Sequence, residues 1–231
     1  MANRVILVKG ISMINLEYKA LKVKHRAIRD GFPLNLSLRV HRSLSWLDRA
    51  EQTNDLDSKF IFLWISFNAA YAKLLDENEN ATERDQISVF FKTLSDFDKK
   101  NQIYENIWQT FPGPVRLLLS NKYIFGPFWK YQLGNVSKQE WERSFSSAQK
   151  VVNSALANKN TNLILSILFT RIYVLRNQII HGGATWGSNV NRDQLESGCQ
   201  ILSNLVPIFI NLMMDNPNCE WEAPAYPVVE E

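Results

Sequence analysis

In the last third of the chain runs Arg176-Asn177-Gln178-Ile179-Ile180-His181-Gly182-Gly183. A guanidinium, an amide and an imidazole thus fall within six residues, closing a long apolar segment that begins near Asn162. An imidazole can take and return a proton near neutral pH. A guanidinium can hold a phosphate and stabilise the charge that develops on it. Together these groups could handle a phosphodiester. The paired glycines stop a helix, because glycine adopts left-handed backbone without steric cost, so His181 is predicted at the mouth of the helix rather than inside the core. The plain alternative is structural, with the imidazole capping the last carbonyl groups of the helix.

The element that must carry these residues has two apolar faces. At about 100° per residue, Ile164, Leu168, Ile172, Leu175 and Ile179 form a stripe expected to face the core. Leu163, Ile167, Thr170, Val174, Asn177 and His181, spaced 4, 3, 4, 3 and 4, form a second seam nearly opposite. A helix apolar on two faces needs two partners. One is a helix of the same chain, and the other could be the same helix from a second copy. Asn177 and His181 are an i, i+4 pair and can interact. Arg176 lies about 140° away on an ideal helix, so it must reach round or act across an interface.

Around this helix the sequence reads as all-α. Glycine is sparse, and the one alternating run is 4–9. Leu36, Val40, Leu44 and Leu47 mark a helix over 36–51, and Asp55 or Asp57 can cap an apolar helix through 60–75. A polar loop over 76–85 leads to helices at 87–97 and about 103–108. Phe111-Pro112-Gly113-Pro114 must interrupt the chain. Tyr123, Phe125, Phe128 and Trp129 form an aromatic knot that could stack bases or simply pack a corner. Helices over 138–157 and about 193–214 flank the motif helix, and the tail from Pro217 reads as extended.

Composition sets the remaining bounds. Apolar content of 45%, with seven Trp, supports a substantial core and argues against wholesale disorder. Cys199 and Cys219 are too few for a disulfide framework, so a reducing, cytoplasmic setting is expected. No signal-like segment is evident, and the apolar run over 60–72 falls short of the roughly 20 residues a membrane span requires, so no membrane is expected. Asp96 and Asp98 lack a third ligand, which discounts a metal site. Charge is uneven: residues 1–49 hold ten Lys or Arg against three acids. We therefore divide the chain into a basic extension, 1–34, and a helical domain, 35–231. The extension could draw in polyanions or serve as a solvated arm, and His25 and His41 in this basic context could meet phosphate or solvent.

Arg176-Asn177, three further residues and His181 resemble the signature of the HEPN superfamily, the higher eukaryote and prokaryote nucleotide-binding domains. Arg171-Ile172-Tyr173-Val174-Leu175 and Gly182-Gly183-Ala184-Thr185-Trp186 resemble its bacterial, Apea-like branch. So do Phe60-Ile61-Phe62-Leu63-Trp64-Ile65-Ser66-Phe67-Asn68-Ala69 and Asn121-Lys122-Tyr123-Ile124-Phe125, and the likeness spans about 36–229. The resemblance implies an all-α HEPN-like bundle and a metal-independent endoribonuclease without cofactor, cutting RNA by attack of its 2′-OH. It implies that His181 acts as base or acid, Arg176 stabilises the phosphorane-like transition state, and Asn177 orients His181 or holds phosphate. Trp186, five beyond His181, is the candidate for stacking a base, and Arg171 joins it as a substrate-binding candidate. Efficient cleavage wants a base on one side and an acid on the other, and His25 and His41 match no motif, so a two-fold homodimer is expected to bring two copies of Arg176 and His181 into one cleft. Superfamily analogy adds a toxin or defence role and an antitoxin or other protein partner. Many relatives are inert, so a silent module that binds RNA or protein through the same groove is the second expectation.

Overall fold

Leu36, Val40, Leu44 and Leu47 recur every three or four residues, and all four are buried along one face of a single helix. The computed structural model describes residues 16–73 and 82–226. Within them lie ten α-helices and no strand: α1 Tyr18–Ile28, α2 Leu34–Glu51, α3 Leu56–Tyr71, α4 Glu83–Phe97, α5 Gln102–Glu105, α6 Pro112–Ser120, α7 Gly126–Gln132, α8 Lys138–Ala157, α9 Thr161–Ile180 and α10 Arg192–Asp215. The alternating run at 4–9 and most of the expected 76–85 loop lie outside the described residues.

Capping chemistry sets several boundaries. Asp55, the first of the two candidate caps, accepts from the Ser58 N–H at 2.8 Å and starts α3. Thr82 with Asp85 and Ser137 with Glu140 form reciprocal capping boxes at α4 and α8. Pro112 opens α6 from its first position, where its missing N–H costs nothing. The expected helix near 103–108 is instead one short α turn, α5, running into a π-helical turn at Asn106–Thr110. Asp98 reaches forward to accept from the N–H groups of Gln102 and Ile103, at 2.9 and 2.7 Å, a cap set too far upstream for the usual pattern.

Helices α2 and α3 pack antiparallel, with Trp46 against Phe62 and the Ser66 hydroxyl donating to the Ser43 carbonyl. Across the bundle, α9 is the central strut. Its Phe169 meets Phe67 of α3, Phe91 of α4 and Phe209 of α10, with centroids 4.5, 4.7 and 6.0 Å apart. Ile164, Leu168, Ile172 and Leu175 are buried as the stripe requires, and Ile179 is half-buried at its end. Helices α9 and α10 are each long and apolar enough to cross a bilayer by length and composition alone. In α10, 78% of that apolar window is buried within the bundle, against 39% in α9.

The chain beyond α10 runs as a strap over the α2–α3 layer. Arg39 is buried and donates to the carbonyls of Glu222 and Ala223 on the strap, and of Ala70 and Ala72 at the end of α3. Arg42 holds the Ala225 and Tyr226 carbonyls beyond it. Of the 1–34 segment, the described part includes α1, whose Leu21 is buried in the same core and whose Lys24 pairs with Asp215 of α10.

His25 departs from the sequence reading. It is 1% exposed, packs toward Phe32 with centroids 6.1 Å apart, and neither ring nitrogen has a partner among the described residues, so it is placed in the packing and not at a phosphate- or solvent-facing surface. Burial first, then the charges of Lys22, Arg29 and His41, hold its pKa below the usual 6.5. The unfolded chain therefore binds a proton that the folded chain refuses. Stability should be full above pH 6.5 and fall as pH drops through that value toward the lower folded-state pKa. Melting temperature followed from pH 8 to 5 should show this loss in the wild type, and His25→Leu should flatten that part of the profile. An unchanged slope in the variant would assign the acid sensitivity elsewhere.

Candidate functional site

The motif helix ends in a Schellman turn. Gly183 N–H donates to the Gln178 carbonyl at 2.7 Å and Gly182 N–H to the Ile179 carbonyl at 3.1 Å, with Gly182 at φ 68°. This geometry requires both glycines. Position 182 is left-handed, and a Cβ on Gly183 would lie 2.9 Å from the Gln178 carbonyl oxygen. His181 is the C-cap residue, and its side chain projects exposed from the end of α9, with no hydrogen-bond partner among the described residues. The alternative in which the imidazole caps the carbonyls is not adopted, because the glycine N–H groups already do so. Gly182→Ala should cost about 1 kcal/mol through the left-handed backbone. Chemical denaturation would register that loss as a lowered midpoint at unchanged slope.

Arg176 and Asn177 form the other half of the site. The Arg176 guanidinium donates to Asn177 Oδ1 at 2.8 Å, and its Cζ lies 6.0 Å from the Trp64 ring and 5.7 Å from the Tyr173 ring. Its Nε–H and the Trp64 indole N–H are both enclosed without an acceptor among the described residues. Tyr71, whose hydroxyl donates to Glu83 at 2.7 Å, feels the Arg176 charge but is held far above the usual phenol pKa, chiefly by burial. Arg176 is therefore turned toward α3, whereas His181 stands free at the helix end. The i, i+4 partners Asn177 and His181 share the second seam but make no mutual hydrogen bond; Asn177 Oδ1 accepts from Arg176 instead.

Of the other candidates, Trp186 lies beyond this end of α9 and Arg171 at the middle of the helix. Trp186 is 78% exposed, and its indole N–H donates to Asp55 Oδ1 at 3.1 Å, tying the loop after α9 to the start of α3. Gly187 N–H and Arg192 both reach Asp57 in the same region, at 3.3 and 2.9 Å. Arg171 is buried on the face of α9 that meets Phe125 and α8.

Gln178, which the sequence did not single out, joins the motif to a cavity of about 430 Å³. Its amide donates to the Tyr123 carbonyl at 2.6 Å and accepts from Asn191 at 2.9 Å. Tyr123 and Trp129 line the cavity opposite residues 189–194. Of the aromatic knot, Phe128 is buried while Tyr123 and Trp129 keep exposed rings, so the segment both packs a corner and presents aromatic surface. The only sequence signal for this arrangement is the density of aromatics around Gly126-Pro127; the facing wall comes from residues some 60 positions later. Compared with known protein families, curated proteins and solved structures, the chain matches none. Fold and site together define a helical bundle with an arginine–asparagine–histidine helix end.

Proposed function

We propose that the protein is a metal-independent endoribonuclease of the HEPN type. The observation that supports this most directly is the end of α9, where an exposed His181 follows Arg176 and Asn177 by one turn. His181 takes the proton from a ribose 2′-OH, whose oxygen attacks the adjacent phosphorus. Arg176 stabilises the charge on the phosphoryl oxygens, and the bond to the 5′ oxygen breaks as that oxygen gains a proton. The nucleophile belongs to the RNA itself, so no metal is required to activate water. DNA lacks that hydroxyl and should be spared.

A proton donor for the leaving oxygen comes from a second copy of the chain. Leu163, Ile167 and Val174 on the second seam of α9 are only half-buried, and so is Asn177 beside the exposed His181. Two such seams related by a two-fold axis bring two His181 side chains toward one groove. A second reading, a silent module that binds RNA or a protein partner, is favoured by one observation: Arg176 is already engaged by Trp64, Tyr173 and Asn177.

Incubation of purified protein with mixed RNA in the presence of a chelator decides between them. Fragments ending in 2′,3′-cyclic phosphate and 5′-hydroxyl carry the first reading. Intact RNA that is nevertheless retarded on a native gel carries the second.

A further inference from the structure

Arg171 is a buried cation without a counterion. It is 3% exposed, its Nε–H is enclosed with no acceptor, and among the described residues no carboxylate pairs with it. The guanidinium carbon lies 4.3 Å from the centroid of Phe125 and 6.0 Å from that of Phe145. Aromatic rings cover such a group well but give its in-plane donors nothing to bond. The charge that acts on it is that of another cation. Burial, and then the charge of Arg84, hold the Arg171 guanidinium down at about 10, which still leaves it protonated at neutral pH. Arg84 is exposed in the first turn of α4 and makes no ion pair among the described residues. Elsewhere in this bundle a buried arginine is well supplied with acceptors: Arg39 donates to four carbonyl oxygens.

A buried charge left unpaired works against folding, and an apolar side chain of similar length would relieve it. Retention of such a group is intelligible if a ligand supplies what the chain does not. We propose that Arg171 forms a binding site for a phosphoryl anion, in which its guanidinium, backed by Phe125, presents its donor fork to the ligand. The planar fork of Arg171 matches two phosphoryl oxygens, and the covering ring leaves its donor edge for the ligand. The phosphoryl group belongs to a polynucleotide or to a small phosphate compound. Only the choice of the first source rests on the ribonuclease reading.

The test compares thermal unfolding in sodium phosphate and in sodium chloride at matched ionic strength. Wild-type protein should melt higher in phosphate. Arg171→Met should abolish that difference while melting in chloride at or above the wild-type temperature, because the uncompensated charge is gone. Should Arg171→Met fail to fold, Arg171→Lys decides: it keeps the charge, loses the fork, and should bind phosphate about tenfold more weakly. Equal melting of the wild type in the two salts would overturn the site, and so would a phosphate response that survives at Arg171→Met or is unchanged at Arg171→Lys. Fluorescence anisotropy with a single-stranded RNA then separates the sources. If Arg171→Met weakens RNA binding and phosphate competes with RNA in the wild type, the anion is a backbone phosphate. If RNA binding is unchanged or absent while the phosphate response is lost in the variant, the site serves a small phosphate compound and stands whatever becomes of the ribonuclease reading.

Discussion

His181→Ala should lower RNA cleavage by about 10²- to 10⁴-fold, the range a positioned acid or base contributes, while leaving the fold untouched. Both halves of this expectation follow from the same geometry. The imidazole is exposed and unpartnered, so truncating it removes no packing and leaves no buried polar group without a bond. The Schellman turn that ends α9 is built from backbone N–H groups of Gly182 and Gly183 and does not use the side chain. The melting temperature should therefore stay within about 2 °C of wild type, as for a surface change worth no more than about 0.5 kcal/mol. Initial cleavage rates on a labelled RNA, taken beside a thermal melt of the same preparation, give both quantities. A variant that cuts RNA at the wild-type rate would remove His181 from the reaction and with it the proposed mechanism.

The sequence exposes what is local and hides what is assembled. The stripe from Ile164 to Leu175, the Asp55 cap and the span Lys138–Ala157 could all be read directly, because a helix repeats its own pattern and its caps lie within a few residues. The same logic marks the glycine-terminated end of α9 and hence the position of His181. Arg39 could not be read this way, since its partners are carbonyls about 30 and 183 residues away and main-chain acceptors leave no signature in composition. His25 in a run of lysines and arginines looks solvated, yet it falls on the inward face of α1 with Leu21, one turn away. The cavity beside Gln178 is built from two segments far apart in sequence, and neither announces the other. Arg171 is marked in the sequence by the resemblance of the segment Arg171-Ile172-Tyr173-Val174-Leu175; that it lies under Phe125 without an acid among the described residues emerges only from the packing.

Phe67→Ala should destabilise the protein by about 3–5 kcal/mol, the largest stability effect expected of a single substitution here. Phe67 is fully buried, and its ring approaches Tyr71 and Phe169 at 4.5 Å, Trp64 at 5.4 Å, Phe91 at 5.9 Å, Phe209 at 6.1 Å and Phe90 at 6.2 Å. Four helices thus converge on one side chain. The surrounding rings are held by one another and by their own helices, so they cannot collapse to fill the space. In a domain of this size the loss amounts to on the order of 10 °C in melting temperature. The effect should also reach the site in a way that separates it from His181→Ala. Trp64, one turn before Phe67 on α3, lies against both Tyr173 and Arg176, so loosening the α3–α9 contact frees the guanidinium from the position it holds. On the proposed ribonuclease reading, Phe67→Ala should therefore cut RNA at low temperature with reduced rate and lose activity together with its helical signal on warming. His181→Ala should show its deficit of about 10²- to 10⁴-fold at every temperature at which it is folded. Were Phe67→Ala to melt like the wild type, the aromatic centre described here would not be what joins the motif helix to the bundle.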